Sequence, residues 1–284
     1  MEDVPRGISN SAGGKEMKDN EDLYGLVVKN MDHKGDDEIV SFEEIRSQLK
    51  DRGNVRRLYS NIPTLDTLLE GFEPGELIAV SGPRKSGKTT LAQSIDVQFW
   101  KQSVKSLWLQ YEVTPRQFIS VYGKETKLTS VFTPRSMKPG LLKWARDKIT
   151  EGIAKHGISV VFIDHLHFLF DIGRVGNISL EIGQVVRYLK YLAVQLEITI
   201  FLLCHMRKTE LDKEPSDIDM RDSSLIAQES DAGLIIWRIP EEDKQAYLKV
   251  CYSRRTGTWE KRIPLIKHLN GFLVEKANGQ SGYV

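Results

Sequence analysis

The octapeptide Gly82-Pro83-Arg84-Lys85-Ser86-Gly87-Lys88-Thr89 lies between the apolar run Leu77-Ile78-Ala79-Val80 and a helical pattern that opens at Thr90-Leu91-Ala92-Gln93. Strand, glycine loop and helix in that order suit a phosphate chain. The glycines let backbone N–H groups converge on one spot, and the helix adds the positive end of its dipole there. In such a loop Lys88 reaches the β- and γ-phosphates and the Thr89 hydroxyl ligates Mg²⁺, with Gly82 through Thr90 forming the cradle. The expected cofactors are therefore ATP, or another nucleoside triphosphate, and Mg²⁺.

Other strand ends bring chemistry to the same place. Val160-Val161-Phe162-Ile163 runs into Asp164. Ligands of a parallel sheet gather at the carboxyl ends of its strands, so Asp164 is expected beside the loop, holding Mg²⁺ directly or through water. Hydrolysis also needs a group that orients the attacking water. Many ATPases carry a glutamate directly after such an aspartate, but here the next residue is His165. The run Leu107-Trp108-Leu109-Gln110-Tyr111 instead ends in Glu112, the candidate base. A further strand, Ile198 to Cys204, ends in His205, which could hydrogen-bond the γ-phosphate and report its loss downstream, or simply pack at the strand end. The charged, proline-containing stretch that follows reads as a mobile loop. In it Arg207, Lys208 and Arg221, with Ser223 next to them, are candidates to grip a phosphate backbone.

Composition bounds what surrounds this constellation. The chain has 284 residues, 40% of them hydrophobic, enough for one large core or one core with a small appendage. Forty basic residues against thirty-nine acidic ones give a net charge of +1, so any nucleic-acid surface must be local. Cys204 and Cys251 both sit in apolar runs, which predicts buried thiols in a reducing compartment. No stretch is long and apolar enough to span a membrane, and Met1 to Asp22 has no signal-peptide core, so a soluble intracellular protein is expected.

Apolar runs alternate with helical patterns from Ile62 onward. Strands are predicted at Leu77–Ser81, Ser106–Tyr111, Ser159–Ile163, Ile198–Leu203 and Gly233–Trp237, and helices at about 88–101, 115–125, 139–156, 179–196 and 223–229. Near-continuous apolar strands separated by helices signify an α/β fold with a mainly parallel sheet covered on both faces. Three short later segments, at 247–252, 261–266 and 271–275, look like an antiparallel C-terminal edge. Ahead of this, residues 1–36 are polar and read as mostly disordered, and 37–56 form a linker whose short helix opens at a Ser41/Glu44 capping box. A helix this short needs something to pack on, its own core or a neighbouring subunit.

Taken in order, Leu65-Asp66, Gly71-Phe72, Gly75-Glu76-Leu77, the phosphate loop, Tyr111-Glu112, Ile163-Asp164-His165-Leu166-His167, His205-Met206-Arg207-Lys208, Arg221-Asp222-Ser223 and Gln228-Glu229-Ser230-Asp231 resemble the hexameric replicative helicases. These are the DnaB-like enzymes, with the helicase halves of phage primase-helicases and the mitochondrial enzyme Twinkle. The resemblance spans about Arg57 to Glu275 and implies a RecA-like ATPase domain over 57–276, followed by a tail at 277–284. It also implies a homo-oligomeric, hexameric ring around single-stranded DNA, nucleotide between neighbouring subunits, a primase or loader as possible partner, and the cytoplasm of a prokaryote or viral host, or the mitochondrial matrix, as setting. An arginine finger directed at the neighbour's γ-phosphate is implied at Ser253-Arg254-Arg255-Thr256-Gly257, with Arg254 favoured and Arg255 the alternative.

The chain departs from the bacterial pattern at His205 and His167, where glutamine is common, and at Tyr252, where a second cation is usual. His165 and His167 would share one strand face, but no cysteine or third histidine completes a zinc site. The N-terminal arm is too short for a primase or the helical collar of full-length relatives. Besides the helicase motor, a RecA-type recombinase or KaiC-like ATPase, a small-molecule phosphotransferase and a nucleotide-binding partner of a helicase or primase remain open readings.

Overall fold

A computed structural model describes residues 38–52, 54–122, 128–138, 140, 142–170, 177–205, 215, 224–239, 245–257, 259–268 and 271–277. The chain divides into two compact units, residues 1–54 and 55–284. In the first, α1 (Phe42–Arg52) begins where the sequence expects it. Ser41 Oγ accepts the Glu44 amide hydrogen bond at 3.2 Å, while the Glu44 carboxylate takes the Ser41 N–H at 2.8 Å. The arm expected to be disordered lies outside the described residues.

The second unit is built on a mixed sheet of nine strands, in the order β3-β2-β4-β5-β1-β6-β7-β8-β9 among the described residues. β1 (Leu77–Ser81), β2 (Ser106–Gln110), β3 (Val131–Phe132), β4 (Val160–Asp164), β5 (Thr199–Leu203) and β6 (Ala232–Trp237) run parallel. β7 (Gln245–Ser253), β8 (Trp259–Lys267) and β9 (Leu273–Glu275) add the antiparallel edge. The fold class read from the alternating pattern is the one observed.

The strands are continuous apolar runs because both faces are covered. Ile78, Val80, Trp108, Phe162 and Phe201 pack into one layer with Leu91, Ile95 and Phe99 of α3 (Lys88–Lys101) and Leu65 and Leu69 of α2 (Pro63–Leu69). Leu77, Ala79, Leu109, Val161, Ile163 and Leu202 point the other way, against Ala145 and Ile149 of α5 (Leu142–His156) and Val186 and Leu189 of α6 (Ile178–Gln195). Strand residues alternate between faces with period two, so each strand feeds both layers. Trp108 stacks on Phe162 at 4.5 Å and Phe162 on Phe201 at 4.9 Å, an aromatic row across β2, β4 and β5.

Some elements differ from expectation. β2 stops at Gln110, so Tyr111 and Glu112 lie beyond it, and α4 (Pro115–Ser120) ends before residue 125. Neither α2 nor β3 stands out in the sequence: α2 has seven residues and β3 two, too few for a period to emerge. Asp66 and Asp231, read only as parts of family motifs, turn out to be braces. Asp66 accepts from the N–H groups of Ser60 and Asn61 at 2.7 and 2.9 Å, and Asp231 accepts from Leu77 N and Lys190 Nζ, both at 2.7 Å.

The most buried brace is Asp96 on α3, 1% exposed. Its Oδ2 accepts from Trp108 Nε1 and from the Tyr122 hydroxyl, both at 2.8 Å, and burial raises its pKa above the ordinary carboxylate value. Asp96→Ala orphans both donors and is expected to remove about 2–4 kcal/mol of stability, read as a lower urea midpoint at unchanged slope. A raised folded-state pKa means that Asp96 itself favours folding most below the ordinary carboxylate range and less as pH rises, so the cost of Asp96→Ala should be larger in mild acid than at neutrality.

Candidate functional site

Parallel register levels the strand ends. Val80 sits opposite Leu203, Leu203 opposite Asp164, and Asp164 opposite Gln110, so the segments leaving β1, β5, β4 and β2 emerge at one edge of the sheet. The glycine loop follows β1. A Cβ on Gly82 would lie 2.1 Å from the Ile236 carbonyl oxygen and 2.8 Å from Ser86 Oγ, so a side chain there collides with β6 and the loop itself. Lys85 and Gly87 take left-handed backbone, with φ of 62° and 104°, and Gly87 caps α3.

Lys88 opens α3 and is buried. Its Nζ donates to the carbonyl oxygens of Gly82 and Pro83, both at 2.9 Å. Burial lowers its pKa, opposed by the negative charges of Asp164 and Glu112. Thr89 Oγ1 donates to Asp164 Oδ2 at 2.7 Å, tying the first turn of α3 to the end of β4. Asp164 is 2% exposed, and burial, reinforced by the like charge of Glu112, raises its pKa to about 6 against the pull of Thr89 and Lys88.

Glu112 stands between two imidazoles. Its Oε1 is hydrogen-bonded to His205 Nε2 at 2.9 Å and lies 3.0 Å from His165 Nε2. Burial and the neighbouring His205 push His165 down to about 4, so it is neutral near pH 7. His167 is lowered too, by burial and then His205. Sequence spacing suggested that His165 and His167 share a strand face. Instead β4 ends at Asp164 and His167 lies in a 3-10 turn, Leu166–Leu169, while His205, two residues past the end of β5, supplies the third imidazole, 4.2 Å from His165 between ring centroids. Glu112, His165 and His205 thus form a cluster whose ligating atoms lie within 4.8 Å of one another.

These groups line a cleft of about 770 Å³ with Arg84, Lys85, Ser86, Lys88, Thr89 and Arg238. Its chemistry fits a polyanion: several cations converge, and Ser86 Oγ is buried with no hydrogen-bond partner. The Thr89 hydroxyl and Asp164 carboxylate are hard oxygen donors of the kind Mg²⁺ takes. Arg238, at the end of β6, escaped the sequence reading, because nothing in its flanking residues indicates that β6 lies beside β1. Burial pushes the Cys204 thiol up to about 12, so it behaves as an apolar filler behind Lys88; Cys251 is also buried and free.

The two arginines of the β7–β8 turn differ. Arg255 is tied within its own chain, with Nε 3.0 Å from Glu76 Oε1 and Nη2 donating at 2.7 Å to the carbonyl oxygens of Leu69 and Gly71. Arg254 is exposed, its guanidinium donating to the Gln228 carbonyl oxygen. Tyr252 lies over Gly233, where a Cβ would approach its ring to 2.3 Å, and its hydroxyl pairs with Ser230 Oγ at 2.7 Å. Arg207, Lys208, Arg221 and Ser223 lie outside the described residues.

Residues 132–275 match the family described as DnaB-like helicase C-terminal domain. Among curated proteins, a replicative DNA helicase DnaB of Pasteurella multocida is 22% identical over 231 residues, covering 69% of this chain and 49% of that protein. A replicative DNA helicase DnaB of Rickettsia conorii is 23% identical over 313 residues, covering 92% and 62%. The chain thus spans about half the length of several relatives it matches. Among solved structures, one ATPase domain superposes with a TM-score of 0.72 at 16% identity, covering 84% of this chain and 100% of that one. A DnaB-like replicative helicase studied in its interactions with primase gives 0.68 at 16% identity, covering 89% and 70%. The shared fold is RecA-like.

Because the loop packs against the Ile236 carbonyl, Gly82→Ala should cost about 1–3 kcal/mol by overpacking. A lower thermal midpoint and weakened binding of a fluorescent nucleoside triphosphate are the expected readouts.

Proposed function

This chain belongs to the DnaB-like helicase C-terminal domain family, and from that membership we propose that it is an NTP-hydrolysing motor that translocates on single-stranded DNA and unwinds duplex during replication. The observation that carries the reading is the meeting of the glycine loop, the Thr89–Asp164 pair and Glu112 at one sheet edge. ATP, or another nucleoside triphosphate, is the proposed substrate, cradled by residues 82–90. Lys88 exchanges the loop carbonyls for phosphate oxygens, which also relieves the buried ammonium of its poor solvation. Thr89 and Asp164 hold Mg²⁺, whose bound charge offsets that of the phosphates. Glu112 orients and deprotonates the attacking water, and His205 contacts the γ-phosphate.

To the cations that line the cleft, the family resemblance adds one from a neighbouring subunit. Arg255 is occupied at home, which supports Arg254 as the finger offered to a neighbouring subunit in a hexameric ring. A guanidinium spreads its charge over the transferring phosphoryl oxygens when subunits assemble. Residues 57–276 are the motor on this reading, and 37–56 a linker. Its helix α1 exposes Phe42 and Leu49, apolar side chains suited to docking on the next subunit. Arg207, Lys208, Arg221 and Ser223 are assigned to the DNA backbone, and a primase or loader to the ring's periphery. Among the described residues no helix is long and apolar enough to cross a membrane; the proposed setting is the cytoplasm or the mitochondrial matrix.

ATP hydrolysis should rise on adding single-stranded DNA, and Glu112→Gln should lower turnover by roughly 10²–10⁴-fold with nucleotide binding retained. Normal turnover in that variant removes Glu112 as the base, and indifference to DNA argues for a small-molecule phosphotransferase instead. Long filaments on single-stranded DNA under the electron microscope, in place of closed rings, would turn the reading to a recombinase.

Arg254→Ala should lower turnover about 10³-fold or more, the scale of an arginine finger. Mixing Arg254→Ala with Glu112→Gln subunits should then restore part of the activity, since some interfaces regain both groups. No recovery on mixing means that the finger does not act across subunits.

A further inference from the structure

We propose that His165 is the positioning residue for Glu112, keeping the base in place when His205 turns to the γ-phosphate. The inference rests on the hydrolytic reading above and adds a residue to it. His205 Nε2 is bonded to Glu112 Oε1 at 2.9 Å, so one nitrogen is required by both the base and the phosphate. If it moves to phosphate, the carboxylate loses that partner. His165 Nε2, 3.0 Å from the same oxygen, is the other side-chain nitrogen within ion-pair distance of it among the described residues.

His165 is the fixed member of the cluster. Its Nδ1 accepts the backbone N–H of His167 at 3.3 Å, capping the 3-10 turn, and its ring lies 4.7 Å from Phe168 and 4.2 Å from His205. Its side chain is 11% exposed, against 21% for His205 and 36% for Glu112. Because Nδ1 is the acceptor, the neutral ring carries its hydrogen on Nε2, the nitrogen that lies 3.0 Å from the carboxylate oxygen. Both imidazoles converge on Oε1, and among the described residues no hydrogen bond reaches Oε2, the oxygen left to take a proton from water. His165 also directly follows Asp164 in the chain, so one peptide bond separates the group that sets the base from the group assigned to Mg²⁺.

The same three side chains could be taken for a transition-metal site, since their ligating atoms lie within 4.8 Å of one another. Histidine ligands donate the hydrogen of their second ring nitrogen outward, to a carboxylate, carbonyl or water. In His165 that nitrogen accepts a hydrogen bond, and His205 Nδ1 is buried with no partner. The surroundings are those of a hydrogen-bonded cluster.

The test separates the two nitrogens of His165. Asparagine keeps an acceptor near Nδ1 for the His167 N–H but has nothing at the position of Nε2, whereas glutamine can place an amide N–H there. His165→Asn should lower kcat for ATP hydrolysis roughly tenfold, the scale of a lost contact to a charged group, with KM for ATP and nucleotide binding held. His165→Gln should recover most of the loss. In a Glu112→Gln background, His165→Asn should have no further effect. Normal kcat in His165→Asn, or a glutamine variant as slow as asparagine, overturns the assignment. So does stoichiometric binding of Co²⁺, followed by its visible absorption, that His165→Asn abolishes. Normal turnover in Glu112→Gln alone would instead defeat the hydrolytic reading on which the proposal rests.

Discussion

Parallel pairing of buried strands in level register is the constraint on which the rest of this molecule depends. β1, β2, β4 and β5 are buried along their whole length, because the period-two alternation of their side chains feeds an apolar layer on each face. A slip by one residue would exchange the layers and drive α3 and α6 against mismatched surfaces. The register that satisfies both layers also levels the strand ends, and polar groups placed just past those ends meet without design of their own. Asp164, Glu112, His205 and the loop after β1 are far apart in sequence and adjacent in space for this one reason.

Charges brought together in this way are poorly solvated. The Lys88 ammonium rests on backbone carbonyls and Asp164 on a threonine hydroxyl, while burial lowers the pKa of the first and raises that of the second. Each ionised form is disfavoured until a complementary charge arrives. A polyanion accompanied by a divalent cation supplies both complements together, which is the physical sense in which the cleft is prepared for such a ligand. The same logic separates the late arginines: Arg255 has its partners among Glu76 and the carbonyls of Leu69 and Gly71, whereas Arg254 remains at the surface.

Several residues that look functional in the sequence serve the architecture. Asp66 holds the turn before α2, and Asp231 pins Leu77 at the entry to β1 with Lys190 of α6. Tyr252, where the family resemblance implies a second cation, fills the space over Gly233 and bonds Ser230. A short motif records that a residue matters at a place; packing decides whether it acts on a ligand or on the fold.

From sequence alone the α/β class, the parallel core with its antiparallel edge and the strand ends that carry Glu112, Asp164 and His205 were legible, because burial on both faces leaves unbroken apolar runs and a run's end is visible where polarity returns. The capping box of α1 was legible too, since its two residues are three apart. Short elements such as α2 and β3 were not, having too few residues to show a period. Nor were the relations between strands: that Glu112 Oε1 lies between His165 and His205, that Arg238 reaches the cleft, and that Arg255 is held by partners within its own chain. Those depend on which strands are neighbours and how side chains compete for one oxygen. Sequence determined which groups stand at the strand ends, through local pattern; tertiary structure decided which of them touch, because contact follows from strand order and register that no local pattern encodes.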